Sequence, residues 1–172
     1  MTPRQRRLEA DHRQLRAAFA GHSHIQVQAL GPMPPERYRV VYNLPGLRLD
    51  ETRRVTRVYQ HIVDLYLPAG YPREKPYATT AAPVFHPNFG AHICIADFWS
   101  PSQSLVDVVL QIADMLQYRT YNIRSPLNAV AAKWATENAH QLPIANIDTA
   151  PVDPEVTIAD PATSPQDPRE RP

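Results

Sequence analysis

The chain has 172 residues, 43% of them apolar, with 18 basic against 17 acidic side chains and a net charge of +1. That length can bury one sizeable core, and so balanced a charge excludes any global pull toward nucleic acid or a membrane surface. No apolar run approaches the ~20 residues of a membrane span, and a lone cysteine excludes an internal disulfide and a four-thiolate zinc site.

Residues 3–20 read as a helix. Leu8, Leu15 and Phe19, with His12 or Ala18 between, repeat at three- and four-residue steps, with Pro3 near the start and Gly21 as the stop. The other face reads as basic: Arg4, Arg6, Arg7, Arg13 and Arg16 against Glu9 and Asp11. The leading MTPRQRRLEADHR has no apolar signal core, so a cytoplasmic location is expected. All but two of the cationic residues are arginine, the exceptions being Lys75 and Lys133, a bias consistent with coding composition.

Three β-like runs follow. His24–Leu30 alternates and stops at Gly31-Pro32, and Arg37–Leu44 is β-branched and aromatic and stops at Pro45-Gly46. Val58–Leu67 alternates strictly, with Tyr59, His61, Val63, Leu65 and Leu67 as its inward face. Between the second and third runs, RLDETRRVTR reads as a charged hairpin loop. Short runs at this spacing predict an antiparallel meander. Pro68 to Pro72 breaks the third run, and a fourth is expected over Ala78–Phe85.

The most informative stretch is FHPNFGAHICIADFWSP, residues 85–101. Cys94, the single cysteine, lies eight positions after His86 of the His86-Pro87-Asn88 triplet and five before Trp99-Ser100-Pro101. A thiolate is a nucleophile and an amide N–H can stabilise an oxyanion, so Cys94 and Asn88 together have the parts for acyl transfer. His92-x-Cys94 and His22-x-His24 are weak as metal signals, and no metal is expected.

A helix should begin after Pro101, with Ser104 and Asp107 as a capping box and Leu105, Val108, Val109, Ile112, Met115 and Leu116 as the buried stripe. Ser125-Pro126 reads as the N-cap and first position of another helix, with Leu127, Val130, Ala131 and Trp134 as its stripe. From Leu142 onward the composition shifts to seven prolines and six acidic residues against two arginines, with no aromatics. That predicts a disordered tail. The expected organisation is therefore one α+β domain over 1–141, a four-stranded antiparallel meander packed against helices, and a tail over 142–172.

The order HPN, then Ile93-Cys94, then Trp-Ser-Pro resembles the active-site run of the ubiquitin-conjugating enzymes. The Pro68…Tyr71-Pro72…Pro76 run before the fourth strand and the Ser125-Pro126-Leu127-Asn128 run after the long helix are similar to that family as well. The resemblance implies that Cys94 forms a thioester with a ubiquitin-like protein received from an activating enzyme, with Asn88 on the oxyanion side. A lysine or other amine of a target then takes the modifier; no cofactor is implied. His86, Pro87 and Trp99 would be structural, Arg6, Arg7 and Arg13 would face the activating enzyme, and Ser125 would fall at the gate beside the cysteine. Two stretches are shorter than the family's usual pattern, HPN to cysteine and cysteine to tryptophan. An aspartate commonly found two residues after the cysteine is replaced by Ala96, which moves the candidate acid to Asp97. These trimmed loops resemble the prokaryotic branch of the family, whose members are typically encoded beside a ubiquitin-like protein and serve antiphage defence.

Two other classes fit parts of the pattern. A catalytically inactive scaffold of the same fold would bind the modifier or the activating enzyme, but such variants usually lack the cysteine. A Cys–His hydrolase would pair Cys94 with His86 or His92, yet the next helix begins some ten residues after the thiol, too far for its dipole to activate it.

Overall fold

The computed structural model describes residues 1–95 and 99–152. Helix α1 spans Pro3–Phe19; Thr2 caps it by accepting from Gln5 N, while Gln5 Oε1 accepts from Thr2 N. This reciprocal cap satisfies backbone donors that the first turn leaves open. Its inward face is Leu8, Asp11, Leu15, Ala18 and Phe19. The buried Asp11 departs from the expected solvated face, because Arg7 and Tyr71 accompany it inward, as described below.

The main sheet has the order β1 (Ile25–Leu30), β2 (Arg37–Tyr42), β5 (His61–Tyr66), β6 (Tyr77–Thr80), antiparallel throughout. Alternation decides its faces. His61, Val63 and Leu65, continued by Leu67, are buried, as the sequence pattern predicts, whereas Tyr59 lies outside the strand and is 65% exposed. The fourth run pairs only over Tyr77–Thr80 and does not extend to Phe85.

The charged segment between the second and third runs differs from expectation. It is not simply a loop: β3 (Gly46–Leu49) and β4 (Val55–Val58) form a separate two-stranded sheet. Asp50 makes the turn between them, its Oδ1 accepting from the Thr52 and Arg54 amides and from the Thr52 hydroxyl. Leu47 on this ribbon is buried against Phe85, Tyr118, Ala131 and Ala135, giving the hairpin an apolar anchor despite its arginines.

Helix α2 (Leu105–Leu116) has the expected capping box, Ser104 with Asp107, and all six residues of the expected stripe are buried. It lies on the inner face of the sheet, where the Tyr42 hydroxyl donates to the Val109 carbonyl at 2.9 Å. Helix α3 (Ala129–Glu137) starts later than Ser125-Pro126 predicts. Its N-cap is Asn128, whose side chain accepts from Ala131 N at 3.0 Å. Ala131, Ala132 and Ala135 are its buried residues, while Leu127, which precedes the helix, and Val130 face solvent.

After a 3-10 turn at Ala139–Gln141, residues 142–152 lie extended across the body. Leu142 joins the smaller core cluster and Ile147 packs on the larger one. Arg57 donates to Leu142 O, His22 Nε2 lies 3.0 Å from Ala150 O, and Val152 N donates to Ala18 O at 2.8 Å. Composition alone reads these residues as tail. Two apolar anchors, the side chains of Arg57 and His22 and the backbone of Ala18 make them a strap; the rest of the expected tail, residues 153–172, lies outside the described residues.

Candidate active site

The His-Pro-Asn triplet is a rigid junction. His86 is fully buried, with its ring 4.5 Å from that of Tyr118 and 4.9 Å from that of Phe89. Its Nδ1 accepts from Asn88 N at 3.0 Å, which places the ring proton on Nε2. Burial pushes its pKa down to about 3, so the imidazole stays neutral and structural at any physiological pH. Pro87 contributes its carbonyl, which accepts from Asn128 N at 3.0 Å and so joins the triplet to the cap of α3.

Asn88 is 5% exposed, and its side chain pairs reciprocally with the backbone of Asn122. Nδ2 donates to Asn122 O at 2.9 Å, and Oδ1 accepts from Asn122 N at 2.8 Å. One of its two amide N–H groups is thereby used, and the second has no acceptor among the described residues. The Asn88 carbonyl accepts from Cys94 N at 3.0 Å, so a single residue grips both the cysteine backbone and the loop opposite.

The short stretch from Asn88 to Cys94 closes on itself. Phe89 and Ile93 form an isolated antiparallel bridge, Gly90 N donates to His92 O, and Ile93 N donates to Ala78 O of β6 at 2.8 Å. With Ile93 and Ile95 buried on either side, Cys94 is held half-buried between two apolar anchors. His92 points elsewhere, its ring 6.2 Å from that of Tyr77.

Cys94 lines a cleft of about 440 Å³ with Asn88, Met115, Arg119, Thr120, Tyr121, Asn122 and Ser125. Three of the four predicted catalytic residues, Cys94, Asn88 and Ser125, thus share one cavity. Asp97 lies outside the described residues. None of the described lining residues is a carboxylate or a histidine. Trp99 anchors the exit: its indole N–H donates to Pro72 O at 3.0 Å and its ring lies 5.6 Å from that of Tyr71.

The three arginines expected at a partner face separate. Arg6 and Arg13 are exposed. Arg7 turns inward: it donates to Asp11 (2.8 Å), to the Tyr71 hydroxyl (3.2 Å) and to the carbonyls of Pro101 (2.6 Å) and Gln103 (2.5 Å). Tyr71 in turn donates to Asp11 at 2.6 Å. Arg7 therefore joins α1 to the segment between Trp99 and α2 and is not available to a partner. Sequence reasoning also missed Asn122 and Arg119. Both lie in a loop without periodicity, where the one available signal was a second asparagine just before Ser125-Pro126.

An antiparallel sheet covered by helices, with a lone thiol in a cleft beside a clamped asparagine, defines a cysteine-centred α+β domain of the UBC-like class. Residues 57–145, just over half of the chain, match the family described as Ubiquitin-conjugating enzyme, and the chain belongs to that family. It is 32% identical over 80 residues to Ubiquitin-conjugating enzyme E2 16 of Schizosaccharomyces pombe, a match covering 43% of this chain. The match covers 49% of that relative, so the chain spans about half the length of the curated protein it resembles. The E2 domain of a Toxoplasma gondii ubiquitin conjugating enzyme has a similar fold, with a TM-score of 0.53 and 24% identity over 80% of this chain and 87% of that one.

Proposed function

We propose that the protein conjugates a ubiquitin-like protein through a thioester on Cys94. The Cys94 thiolate attacks the C-terminal thioester carbonyl of a modifier carried by an activating enzyme. The tetrahedral oxyanion collapses with loss of the activating enzyme's thiolate, leaving the acyl group on Cys94. A lysine or other amine of a target then attacks, an amide forms, Cys94 leaves as thiolate and the ammonium proton is lost. Exchange of one thioester for another is nearly isoenergetic, so the protein's task is positioning rather than driving force.

The observation that carries this reading is the position of Cys94 in a cleft with Asn88, whose second amide N–H has no partner among the described residues and is suited to a developing oxyanion. A cleft whose described lining has no histidine also suits an acyl-enzyme that must outlast hydrolysis. His86 is enclosed, its Nδ1 is occupied by Asn88 N, and its pKa of about 3 makes it too weak a base for a Cys94–His86 hydrolase. Ser125 and Asp97 are the proposed partners of the incoming amine. Arg6 and Arg13 on α1 are the proposed contacts for the activating enzyme. The catalytic body is residues 1–141, with the following segment laid over it. The short stretches on both sides of Cys94 support a prokaryotic, cytoplasmic conjugation system, and its antiphage use belongs to the same proposal.

The test mixes the protein with its activating enzyme, the ubiquitin-like protein and ATP, and separates the products without reductant. A thiol-sensitive adduct on the wild type, thiol-resistant on Cys94→Ser and absent on Cys94→Ala, is expected. A folded protein that forms no adduct with genuine partners would leave the scaffold reading in its place.

A further inference from the structure

Arg119 stands between two parts of the molecule that sequence reading treats separately. It lines the Cys94 cleft, yet its guanidinium donates to the carbonyls of Ala145 and, at 3.3 Å, Ile147 of the strap. Asp114 is 3.8 Å away, and the Arg119 backbone N donates to Asp114 O at the end of α2. Three residues on, Asn122 makes the reciprocal pair with Asn88, which in turn accepts from Cys94 N. The contacts are continuous from the strap to the cysteine backbone.

The strap has its own anchors on both sides of Arg119. Leu142 and Pro143 are buried, Ile147 packs on the main core, and Ala150 and Val152 are tied to His22 and Ala18. Both bonds of Arg119 to the strap come from one nitrogen, Nη2, whose two N–H groups let it hold two carbonyls at once. The 119–122 loop has few other restraints. Residues 119–125 are exposed, and Tyr118 turns the chain out of α2 with φ of +56°. Among the described residues, the Arg119 Nη2 bonds to the strap and the Asn88–Asn122 pair are the principal side-chain fasteners on this loop.

We infer that Arg119 is a positioning residue. By gripping the carbonyls of Ala145 and Ile147, it makes residues 142–152 part of the scaffold that holds the 119–122 loop and, through Asn122 and Asn88, the backbone of Cys94. Its meaning for catalysis rests on the function proposed above, whereas its physical content concerns the exposure of one thiol. Loosening this grip frees the loop, opens the cleft and lets small electrophiles, and water, reach Cys94 more often.

Because Cys94 is the one cysteine, its alkylation by iodoacetamide reads this site alone. The full chain is compared with Arg119→Ala, Arg119→Lys, a chain ending at Pro143 that keeps Leu142 and Pro143 buried, the Arg119→Ala form of that chain, and a chain ending at Val152. Arg119→Ala and the chain ending at Pro143 should each alkylate about fivefold faster, the scale set by losing a hydrogen-bonded restraint on local opening. The double change should be no faster than the truncation alone, since ending at Pro143 already removes the carbonyls that Arg119 holds. Lysine, whose ammonium also carries several donors, should restore part of the slow rate, and ending at Val152 should leave it unchanged. Thermal midpoints taken alongside separate local opening from general loss of stability. Rates that multiply in the double variant, or an unchanged rate in Arg119→Ala, would overturn the inference. Because alkylation needs no partner protein, a failed thioester assay would sink the proposed function and leave this result standing. Where the thioester does form, the two single variants should hydrolyse it faster by the same factor.

Discussion

Asn88 and Asn122 hold each other through two hydrogen bonds of 2.9 and 2.8 Å, the side chain of the first closing on the backbone of the second. The pairing fixes the amide orientation: a donor must face Asn122 O and an acceptor must face Asn122 N. Asn88→Asp places a carboxylate oxygen against a carbonyl and should therefore be worse than its size suggests. Asn88→Ala leaves both backbone groups without partners and should cost about 1–3 kcal/mol. Denaturant midpoints for both variants, beside thioester discharge rates, check this; an Asp variant as stable and active as the wild type would contradict it.

Arg7, Asp11 and Tyr71 form a second clamp, in which the Asp11 carboxylate accepts from both partners. Asp11 is 2% exposed, so removing either donor leaves a buried charge undersupplied. Tyr71→Phe should lose about 1–2 kcal/mol, and Arg7→Ala more, since it also frees the carbonyls of Pro101 and Gln103. Arg6→Ala, on the exposed side of the same helix, should leave stability unchanged while weakening the activating enzyme's KM. Chemical denaturation and loading kinetics separate the two arginines.

Two buried histidines set an acid limit. Burial lowers the pKa of His61 to about 4 and that of His86 to about 3, whereas an unfolded histidine titrates near ~6.5. The unfolded state therefore binds more protons below pH ~6.5, and stability present above that pH is lost as pH falls toward the folded values. The slope should approach ~1.4 kcal/mol per pH unit for each group. Unfolding midpoints at pH 7, 6 and 5 should fall progressively, and His61→Gln should flatten the dependence by about half. A pH-independent midpoint in the wild type would refute the assignment.

Two glycines should respond oppositely to alanine. A Cβ on Gly46 would meet the His61 ring at 2.5 Å, and His61 is buried, so Gly46→Ala should cost about 1–3 kcal/mol by overpacking. A Cβ on Gly90 would lie 3.3 Å from the Leu127 side chain, which is 45% exposed and can yield. Gly90→Ala should fold with nearly unchanged stability. Thermal melts of the two variants suffice, and equal losses would contradict this account.

Periodicity made much of the fold legible before any coordinates. The strict alternation of His61, Val63, Leu65 and Leu67 and the Ser104 to Leu116 pattern each corresponded to one element with one buried face. Legibility failed where local signals competed. Ser125-Pro126 is a good helix start in isolation, but Pro87 O bonds Asn128 N and the cap moves there. The β3–β4 ribbon was hidden by its arginines, because one buried leucine is too little pattern to outweigh them. At the cleft, Cys94 and Asn88 stood out through their spacing and resemblance, whereas Arg119 acts through carbonyls of the strap. Backbone acceptors have no sequence signature, so nothing in the composition of 142–152 could mark them as partners.

The bond from Val152 N to Ala18 O ties the strap to the final turn of α1. During synthesis the residues of α1, the sheet and the Cys94 cleft are all made before those of the strap that fastens them. Completion of the fold is thus a late event in the life of each molecule. A truncated translation product that keeps every residue of the His-Pro-Asn and Trp-Ser-Pro motifs would still lack the fastening that those motifs work within.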